Sequence, residues 1–417
     1  MLVIYRFLIN LTFILSPIII VFRLIKKKED LKRFKEKLCF FSQKRGSGSL
    51  IWFHGASVGE IRSIIPIIEK LEKNKKIKKI LITSNTLSSS KIVQKLKLNK
   101  VVHQFFPIDT NFLSKIFLNY WKPSAVFFID SEIWPNMFLN IKKKGIPVGL
   151  LNGRITKRTF KRWSKFPNFS KKFFSKFDLC LSSSHESQKY LKSLGAKNVK
   201  FFGNLKFTQS NEKEINLKKD FKKFLSSKKV WCASSTHLNE ENFCGKIHKE
   251  LKKKYKNLLT IIIPRHVERV NSIETNLNKL GLKTQTYESS KKIDKNTDIY
   301  IVDTYGKTKS FYSNCNNVFL GGSLIEHGGQ NPLEAAKYGC NILHGPNVSN
   351  FNEIYKFLKK NKMSSKISNQ KQALNVLTKL FSKGASSKQI QKKLDVLGKK
   401  IFKFSLREVN LLLKYEI

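Results

Sequence analysis

The amino-acid sequence predicts an α/β protein with two Rossmann-like domains, and three observations support this fold class. From residue 50 onward, short apolar runs such as IWFHGAS, KILITS and AVFFID alternate with segments whose apolar residues recur at helical spacing. This alternation predicts parallel sheets covered by helices. It stops across the polar stretch TQSNEKEINLKKD, and a second series containing VWCASS, LLTIIIP and NVFLGG follows. We therefore place a linker at residues 208–220, between domains at residues 29–207 and 221–417.

Residues 1–28 differ from everything that follows them. Residues 1–25 are almost wholly apolar, and three lysines at 26–28 come next. A length close to the roughly 20 residues of a spanning helix, without a small-residue cleavage site, predicts an uncleaved N-terminal membrane anchor. The lysines predict that the rest of the chain stays on the cytoplasmic side. Arg6 and Pro17 keep a second possibility open, a helix that lies in the membrane interface.

The net charge of +51 needs an explanation, because a strongly basic chain can bind nucleic acid or an anionic membrane. The excess is almost entirely lysine, dispersed along a chain rich in Ile, Asn and Phe, which is typical of a genome biased toward A and T. Nucleic-acid readers instead concentrate arginine and exposed aromatics on one element. We therefore predict no nucleic-acid partner and a partial contribution of the charge to binding phosphate-bearing lipids. The six cysteines form no CxxC pair and predict buried, reduced thiols rather than a metal site.

The first segment that can carry chemistry is Ser57-Val58-Gly59-Glu60, at the end of the run IWFHGAS. Because open parallel sheets bind ligands outside the carboxyl ends of their strands, this turn is expected to face a binding site. The S-x-x-E spacing forms a capping box, in which Ser57 and Glu60 satisfy backbone N–H groups at a helix start. It also fits a general base at Glu60 that removes a proton from an acceptor hydroxyl. The segment alone leaves both interpretations open.

Two further strand ends in the first domain carry charged residues. Asp130, Glu132 and Trp134 follow the run AVFFID, and Lys206 lies in GNLKF just before the linker. Two carboxylates beside a tryptophan at a strand end are typical of a functional site, although a helix cap followed by a buried tryptophan has the same pattern. Lys206 either presents a positive charge to that site or is a solvated side chain in a lysine-rich chain.

The second domain has an arginine and a glycine-rich turn at its strand ends. Arg265 follows Pro264 at the end of LLTIIIP, and its planar guanidinium suits a phosphate. Farther along, NVFLGG is followed by HGGQNPLEAA, which predicts a helix with Pro332 in its first turn. We expect free backbone N–H groups at that helix start to bind phosphate. Glu334, one turn into the helix, is expected to accept hydrogen bonds from ribose hydroxyls.

The motifs occur in a fixed order: RFKEKL, ASVGE, SEIWPN, GNLKF, PRH, DTYG, GGSLIEHGGQNPLEA and GPNVSNF. In this order and spacing the sequence resembles the 3-deoxy-D-manno-octulosonic acid (Kdo) transferases of lipopolysaccharide biosynthesis, over nearly the whole chain. The resemblance implies a GT-B type glycosyltransferase fold with a cleft between its domains. It also implies inverting, metal-independent transfer of Kdo from CMP-Kdo to a lipid A precursor (lipid IVA), without a cofactor, at the inner membrane.

The same resemblance assigns roles to individual residues. It implies that Glu60 is the catalytic base and that Glu132 and Lys206 support the transition state. It places nine residues against the CMP moiety: Pro264, Arg265, Tyr305, Gly306, Lys307, Asn331, Pro332, Leu333 and Glu334. Family members typically have an acidic residue at the position of Lys307, so only a backbone contact is implied there.

Two other functions fit parts of the pattern. Another inner-membrane GT-B glycosyltransferase with a different nucleotide-sugar donor would share the fold, but the ASVGE and SEIWPN pair argues against it. A basic protein that binds nucleic acid or membranes would explain the charge and leave the glycine-rich helix starts unexplained.

Overall fold

The computed structural model describes residues 1–209, 217–288, 293–382 and 387–414, without the side chains of 387–390. The chain divides into two compact units. The first contains Met1–Ser210 and Leu397–Ile417, and the second contains Asn211–Val396. Each unit has one seven-stranded sheet whose neighbouring strands all pair in parallel. The predicted fold class, two parallel α/β domains, is therefore confirmed.

The sheet of the first unit is built from seven short strands: β1 (Leu50–His54), β2 (Lys79–Ser84), β3 (Val101–Phe105), β4 (Ala125–Ile129), β5 (Val148–Gly153), β6 (Leu179–Ser182) and β7 (Val199–Lys200). Their order in the sheet is β3-β2-β1-β4-β5-β6-β7. β1 and β4 are buried throughout and lie side by side at the centre. Strands covered on both faces read as continuous apolar runs, which explains why IWF and AVFFI were recognisable in the sequence.

Nine helices precede or connect these strands: α1 (Leu2–Ile14), α2 (Ser16–Ile25), α3 (Val58–Glu72), α4 (Leu87–Lys95), α5 (Asn111–Trp121), α6 (Pro135–Lys143), α7 (Lys157–Ser164), α8 (Pro167–Phe174) and α9 (His185–Ser193). On α3 the residues Ile61, Ile64, Ile68 and Leu71 are buried, as their spacing predicts. Each such side chain contributes about 1.5–3 kcal/mol by leaving water. Short 3₁₀ turns at Phe34–Leu38 and Leu205–Thr208 complete the unit.

The N-terminal segment is a bent helix pair. None of the described helices alone is long and apolar enough to cross a membrane, but α1 and α2 together meet that criterion, with a 54° bend between them. Twelve large apolar side chains of the pair are exposed: Val3, Ile4, Phe7, Leu8, Leu11, Ile14, Leu15, Ile18, Ile19, Val21, Phe22 and Ile25. The anchor helix expected within residues 1–28 is therefore two helices rather than one. Pro17 is the second residue of α2, and proline is well tolerated in the first turn of a helix.

Polar contacts connect α1 to the rest of the first unit. The Tyr5 hydroxyl donates a hydrogen bond to Asp109 Oδ2 at 2.6 Å, and Arg6 Nε donates to Asn136 Oδ1 at 2.9 Å. Asp109 also accepts the N–H groups of Asn136 and Met137, at 2.9 and 2.7 Å, and so caps the start of α6. The helix pair is thereby connected to the segment that follows Glu132.

The RFKEKL segment is held by a buried ion pair. Glu36, whose side chain is 2% exposed, accepts hydrogen bonds from Arg33 Nε at 2.7 Å and Arg33 Nη2 at 3.0 Å. The Phe105 N–H donates to the same carboxylate at 2.8 Å, and Arg33 Nη2 donates to the His103 carbonyl at 2.8 Å. These bonds tie the segment to the end of β3. Burial and the Arg33 charge lower the pKa of His103 to about 3, so this imidazole is neutral.

The sheet of the second unit also has seven strands: β8 (Lys229–Thr236), β9 (Leu258–Pro264), β10 (Thr284–Thr286), β11 (Ile299–Ile301), β12 (Asn317–Leu320), β13 (Asn341–His344) and β14 (Ser364–Lys366). Their order is β10-β11-β9-β8-β12-β13-β14. The helices are α10 (Lys219–Ser226), α11 (Glu240–Lys254), α12 (Val270–Lys279), α13 (Thr308–Tyr312), α14 (Leu333–Lys337), α15 (Asn352–Lys360), α16 (Gln370–Ser382) and α17 (Ser387–Leu413). Cys244, Ile247 and Leu251 of α11 pack in its core, and all six cysteines of the chain are buried and unpaired.

The extent of the second domain differs from the prediction. Residues Leu397–Ile417 belong to the first unit, so the expected domain at 221–417 is too long at its C-terminal end. Lys200 Nζ lies 2.6 Å from Glu408 Oε2, and the rings of Phe202 and Phe404 stack at 5.3 Å. The apolar spacing along α17 predicts a helix but not which core it covers. Residues 210–216 of the predicted linker lie outside the described residues.

We expect Glu36→Ala to lower the free energy of unfolding by about 3–5 kcal/mol, because it leaves the half-buried Arg33 without its carboxylate partner and the buried Phe105 N–H without an acceptor. Urea-induced unfolding followed by tryptophan fluorescence measures this. The first unit contains Trp52, Trp121, Trp134 and Trp163, so the signal reports mainly on it.

The control is Glu250→Ala, which removes an exposed i,i+3 partner of Lys253 and is expected to cost less than about 1 kcal/mol. A loss equally small for Glu36→Ala would show that the Arg33–Glu36 pair does not hold the segment in place.

Candidate functional site

The predicted residues of the first unit follow the carboxyl ends of its strands. Glu60 lies two residues into α3 after β1, Glu132 follows β4, and Lys206 follows β7. Because β1 and β4 are neighbours, their ends bring Glu60 and Glu132 to the same edge of the sheet. Asp130, between β4 and Glu132, lies 3.9 Å from Lys206 through Oδ2 and Nζ. The parallel topology thus assembles four charged residues from three separate motifs.

Glu60 forms the capping box that its spacing predicts. Its Oε2 accepts the Ala56 N–H at 2.7 Å, its Oε1 accepts the Ser57 hydroxyl at 2.7 Å, and its own N–H donates to Ser57 Oγ at 3.4 Å. Gly55 makes room for this arrangement, since a Cβ there would lie 3.2 Å from the Glu60 Cβ. The capping interpretation is therefore correct, and it fixes the orientation of the carboxylate.

The electrostatic environment of Glu60 also fits a proton acceptor. Burial and the negative charges of Glu132 and Asp130 together raise the pKa of Glu60 to about 7, against the hydrogen bonds from Ser57 and Ala56 that lower it. A carboxyl group with a pKa near 7 is present in both forms at neutral pH. Capping and proton transfer are therefore compatible roles for one side chain.

Glu132 is oriented by a tryptophan and a histidine. Trp134 Nε1 donates a shared hydrogen bond to Glu132 Oε2 at 3.0 Å and to His54 Nε2 at 3.1 Å. His54, the fully buried last residue of β1, bonds Thr83 Oγ1 through Nδ1 at 2.9 Å and stacks on Phe106. His54 Nε2 accepts the Trp134 hydrogen bond in the tautomer with its proton on Nδ1, and it also lies 3.4 Å from Glu132 Oε2. The alternative interpretation, in which Trp134 is only a buried structural residue, therefore does not account for its hydrogen bonds to Glu132 and His54.

Asp130 is held in an unusual backbone conformation. Its φ of +60° lies in the left-handed region, which apart from glycine is adopted mainly by asparagine, aspartate and histidine, and its carbonyl accepts the Arg154 N–H at 3.0 Å. Burial raises the pKa of Asp130, while the positive charges of Lys206 and Arg154 lower it. Sequence reasoning missed His54 and Arg154 as members of the site. A polar residue ending the buried strand LIWFH was the available signal for His54.

In the second unit, Arg265 follows β9 and DTYG follows β11, which is the next strand in the sheet. The Arg265 side chain is exposed. The Tyr305 hydroxyl donates to Glu268 Oε1 at 3.1 Å, and Gly306 has a φ of +88°. Lys307 Nζ lies 3.0 Å from Glu288 Oε1. At this position the lysine therefore forms an ion pair with a residue of its own unit.

An internal carboxylate binds the backbone N–H groups of the glycine-rich turn that follows β12. Glu240, which is 1% exposed, accepts the N–H groups of Gly322, Ser323 and Leu324 at 2.7, 3.1 and 3.0 Å. The Gly329 N–H donates to the Gly322 carbonyl at 2.8 Å. These groups lie between β12 and the helix start at which the sequence predicts free N–H donors, and an internal carboxylate binds them. The prediction for the helix start itself stays a prediction.

The helix after this turn is shorter than expected. α14 has five residues, Pro332 is its N-cap rather than a residue of its first turn, and Glu334 is its second residue rather than one turn in. Asn331 accepts the Leu333 N–H through Oδ1 at 3.1 Å. Asn331 and Glu334 are partly exposed, while Pro332 and Leu333 are buried. Among the described residues, no three His, Cys, Asp or Glu side chains are grouped as metal ligands.

Comparison with known proteins gives consistent matches. The family model described as 3-deoxy-D-manno-octulosonic-acid transferase (kdotransferase) matches residues 32–209. A 3-deoxy-D-manno-octulosonic acid transferase of Rickettsia bellii is 35% identical over 378 residues, which cover 89% of each chain. One from Haemophilus influenzae is 28% identical over 364 residues, 84% of each chain.

Solved structures show the same fold at low sequence identity. The UDP-GlcNAc 2-epimerase of Neisseria meningitidis, bound to UDP-GlcNAc, superposes with a TM-score of 0.60 at 16% identity, covering 88% of this chain and 100% of that one. An epimerase structure from Listeria monocytogenes gives a TM-score of 0.59 at 12% identity, with 89% and 98% covered. At this level of identity, the likeness shows only the fold, two α/β domains that resemble those of GT-B glycosyltransferases. The sequence relatives carry the assignment, and the chain belongs to the 3-deoxy-D-manno-octulosonic acid transferase family.

Proposed function

We propose that this chain transfers Kdo from CMP-Kdo to a lipid A precursor, lipid IVA, in lipopolysaccharide biosynthesis. Family membership supports the reaction, and the relatives named above are called transferases of this sugar acid. The single structural observation that carries the proposal is Glu60, a half-buried carboxylate fixed by two donors with a pKa of about 7. It provides one base on the acceptor side, which is what an inverting displacement needs.

The proposed reaction begins when Glu60 removes the proton of an acceptor hydroxyl. The hydroxyl oxygen forms a bond to the anomeric carbon of Kdo as the bond from that carbon to the phosphate oxygen breaks. The electron pair of the broken bond leaves with CMP, and the proton stays on Glu60 until solvent takes it. Glu132 and Lys206 are proposed to support the transition state, with Trp134 and His54 orienting Glu132.

On the donor side, the proposal assigns Arg265 to the phosphate of CMP. The exposed guanidinium can bind a phosphate oxygen pair in a planar, bidentate way. Pro264, Tyr305, Gly306 and Lys307 are proposed to contact the same moiety. Asn331, Pro332, Leu333 and Glu334 complete the assignment, with Glu334 on ribose hydroxyls. The charge of CMP as it leaves is stabilised by these fixed groups, and no metal is required in this scheme.

The bent helix pair is proposed to hold the protein at the inner membrane. Its exposed apolar residues can enter the lipid, and the three lysines at 26–28 suit the anionic cytoplasmic surface. The acceptor is itself a phosphorylated lipid, so an enzyme held there meets it by lateral diffusion. The proposal places both α/β domains on the cytoplasmic side.

We expect the purified chain to convert tetra-acylated lipid A precursor into a product heavier by one or more Kdo units, in the presence of EDTA. CMP-Kdo is prepared beforehand and freed of the Mg²⁺ used in its synthesis, and mass spectrometry of the lipid counts the transfers. Absence of product with folded enzyme, together with turnover of another nucleotide sugar, would favour the alternative GT-B glycosyltransferase. Loss of product only when EDTA is added would contradict metal independence.

We expect the transfer rate to increase about tenfold per pH unit below pH 7 and to level off above it, because only ionised Glu60 accepts a proton. Glu132→Gln removes a negative neighbour, lowers the pKa of Glu60 and moves the rising limb of the pH–rate profile to lower pH. Rates measured from pH 5 to pH 9 test both statements.

Glu60→Gln is expected to abolish transfer while the fold and CMP binding persist, because glutamine also fits the capping box. The matched control is Glu69→Gln, an exposed position on the same helix, which should retain full activity. Substantial turnover by Glu60→Gln would remove this residue as the base.

We expect Arg265→Ala to raise the KM for CMP-Kdo and the inhibition constant of CMP together by about tenfold or more, because both ligands carry the phosphate. The control is Arg269→Ala, since that guanidinium is paired with Glu241 and is not assigned to the ligand. An unchanged affinity for CMP in the Arg265 variant would contradict the phosphate assignment.

A further inference from the structure

Three histidines from separate segments of the second unit meet beside Arg265. His237 follows β8, His266 follows β9, and His327 lies between β12 and α14. The ring centroids of His237 and His327 are 4.4 Å apart, and those of His237 and His266 are 6.1 Å apart. β9, β8 and β12 are consecutive in the sheet, so the cluster is built on the carboxyl ends of three adjacent strands.

The backbone at Gly322 is what allows the rings to come this close. A Cβ on Gly322 would lie 3.1 Å from His327 Cδ2 and 3.2 Å from two atoms of the His237 ring, and its φ is +63°. The imidazoles therefore lie against the turn that Glu240 holds. His266 and His327 are exposed, and His237 is partly exposed, so all three can reach a ligand.

The surroundings of the histidines are predominantly positive. Burial, together with the charges of His327, His266, Arg265 and Arg269, lowers the pKa of His237 to about 4. Arg269 is neutralised by a bidentate pair with Glu241. For Arg265, no side-chain hydrogen bond or ion pair is found within the part of the chain that the structure describes.

Two carboxylates near the cluster have other partners. Glu240 accepts the N–H groups of His237 and of the glycine turn, which consumes both of its oxygens. Glu268 lies close enough to His266 for their charges to interact, and it accepts a hydrogen bond from the Tyr305 hydroxyl. The exposed surface of the cluster therefore offers imidazole N–H donors and one unpaired guanidinium, which is a donor set for anions.

The proposed donor has two anionic groups that need such partners. Its phosphodiester has one negative charge, and the sugar has a carboxylate, and both groups are attached to the same anomeric carbon. A protein that binds the phosphate at Arg265 must therefore provide a second anion site directly beside it. We propose that His237, His266 and His327 form this second site and bind the carboxylate of the sugar acid.

This inference rests on the proposed function and adds a basis for donor choice. A neutral sugar linked to the same nucleotide has no carboxylate, so it would leave the imidazole N–H donors beside the Arg265–phosphate pair without an acceptor. The cluster therefore selects 2-keto sugar acids. The His237 ring lies 3.4 Å from the Gln330 side-chain amide through Nε2, and the His237 N–H donates to Glu240 Oε2 at 3.0 Å, which fixes the backbone that carries the ring.

The test uses the full-length enzyme and the exposed pair, as His266→Asn, His327→Asn and the double variant. Two quantities are compared, the KM for freshly prepared CMP-Kdo and the inhibition constant of CMP, which lacks the carboxylate. We expect the double variant to raise the KM at least tenfold while the inhibition constant of CMP changes less than twofold. Thermal stabilisation by CMP-Kdo over that by CMP should shrink in parallel. His185→Asn, an exposed histidine of the first unit, is the matched control and should change neither constant.

The possible results distinguish failure of the proposed carboxylate site from failure of the proposed function. A parallel increase in both constants would mean that the histidines bind the phosphate, and it would overturn the carboxylate site. Unchanged constants in a wild-type-like double variant would also overturn it. If the wild-type enzyme neither turns over CMP-Kdo nor is stabilised by it, the proposed function itself is rejected.

Discussion

The clustering of three carboxylates at the ends of β1 and β4 is the constraint on which the first unit's site depends. Glu60, Asp130 and Glu132 raise one another's energy, since like charges in a partly buried place repel. The arrangement is stable because each carboxylate has specific partners: two donors for Glu60, Lys206 for Asp130 and Trp134 for Glu132. Burial, together with this repulsion, keeps the pKa of Glu60 at about 7, which suits the proton transfer that we propose.

In the second unit, an internal carboxylate binds a group of backbone N–H donors. Its glycine turn presents several N–H groups in one direction, an arrangement that binds phosphates in other proteins. Here Glu240 fills it from inside and fixes the turn, whose Gly322 has a positive φ. With that position taken, the anion site that we propose consists of side chains, Arg265 and the histidines. In this proposal, a segment rich in glycine supports a site that binds anions through imidazole and guanidinium groups.

The N-terminal helices are part of the first unit's architecture. Tyr5 donates to Asp109, and Asp109 caps α6 through the N–H groups of Asn136 and Met137. Burial raises the pKa of Asp109 to about 7, so these donors are what stabilise its charged form. If the exposed apolar face enters a membrane as proposed, the same contacts connect the membrane-bound segment to the residues that follow Glu132.

The sequence by itself determined the two parallel α/β domains, the capping box at Glu60 and the family, because periodicity, helix-start chemistry and ordered motifs are local properties. It did not show that residues after 396 cover the first unit, since the apolar stripe of α17 fits either core. Nor did it show that Glu240 occupies the glycine turn or that His54 holds Trp134, contacts that span 82 and 80 residues. Only the tertiary structure decided these pairings, because side chains distant in sequence become neighbours only when the strands have taken their order in the sheet.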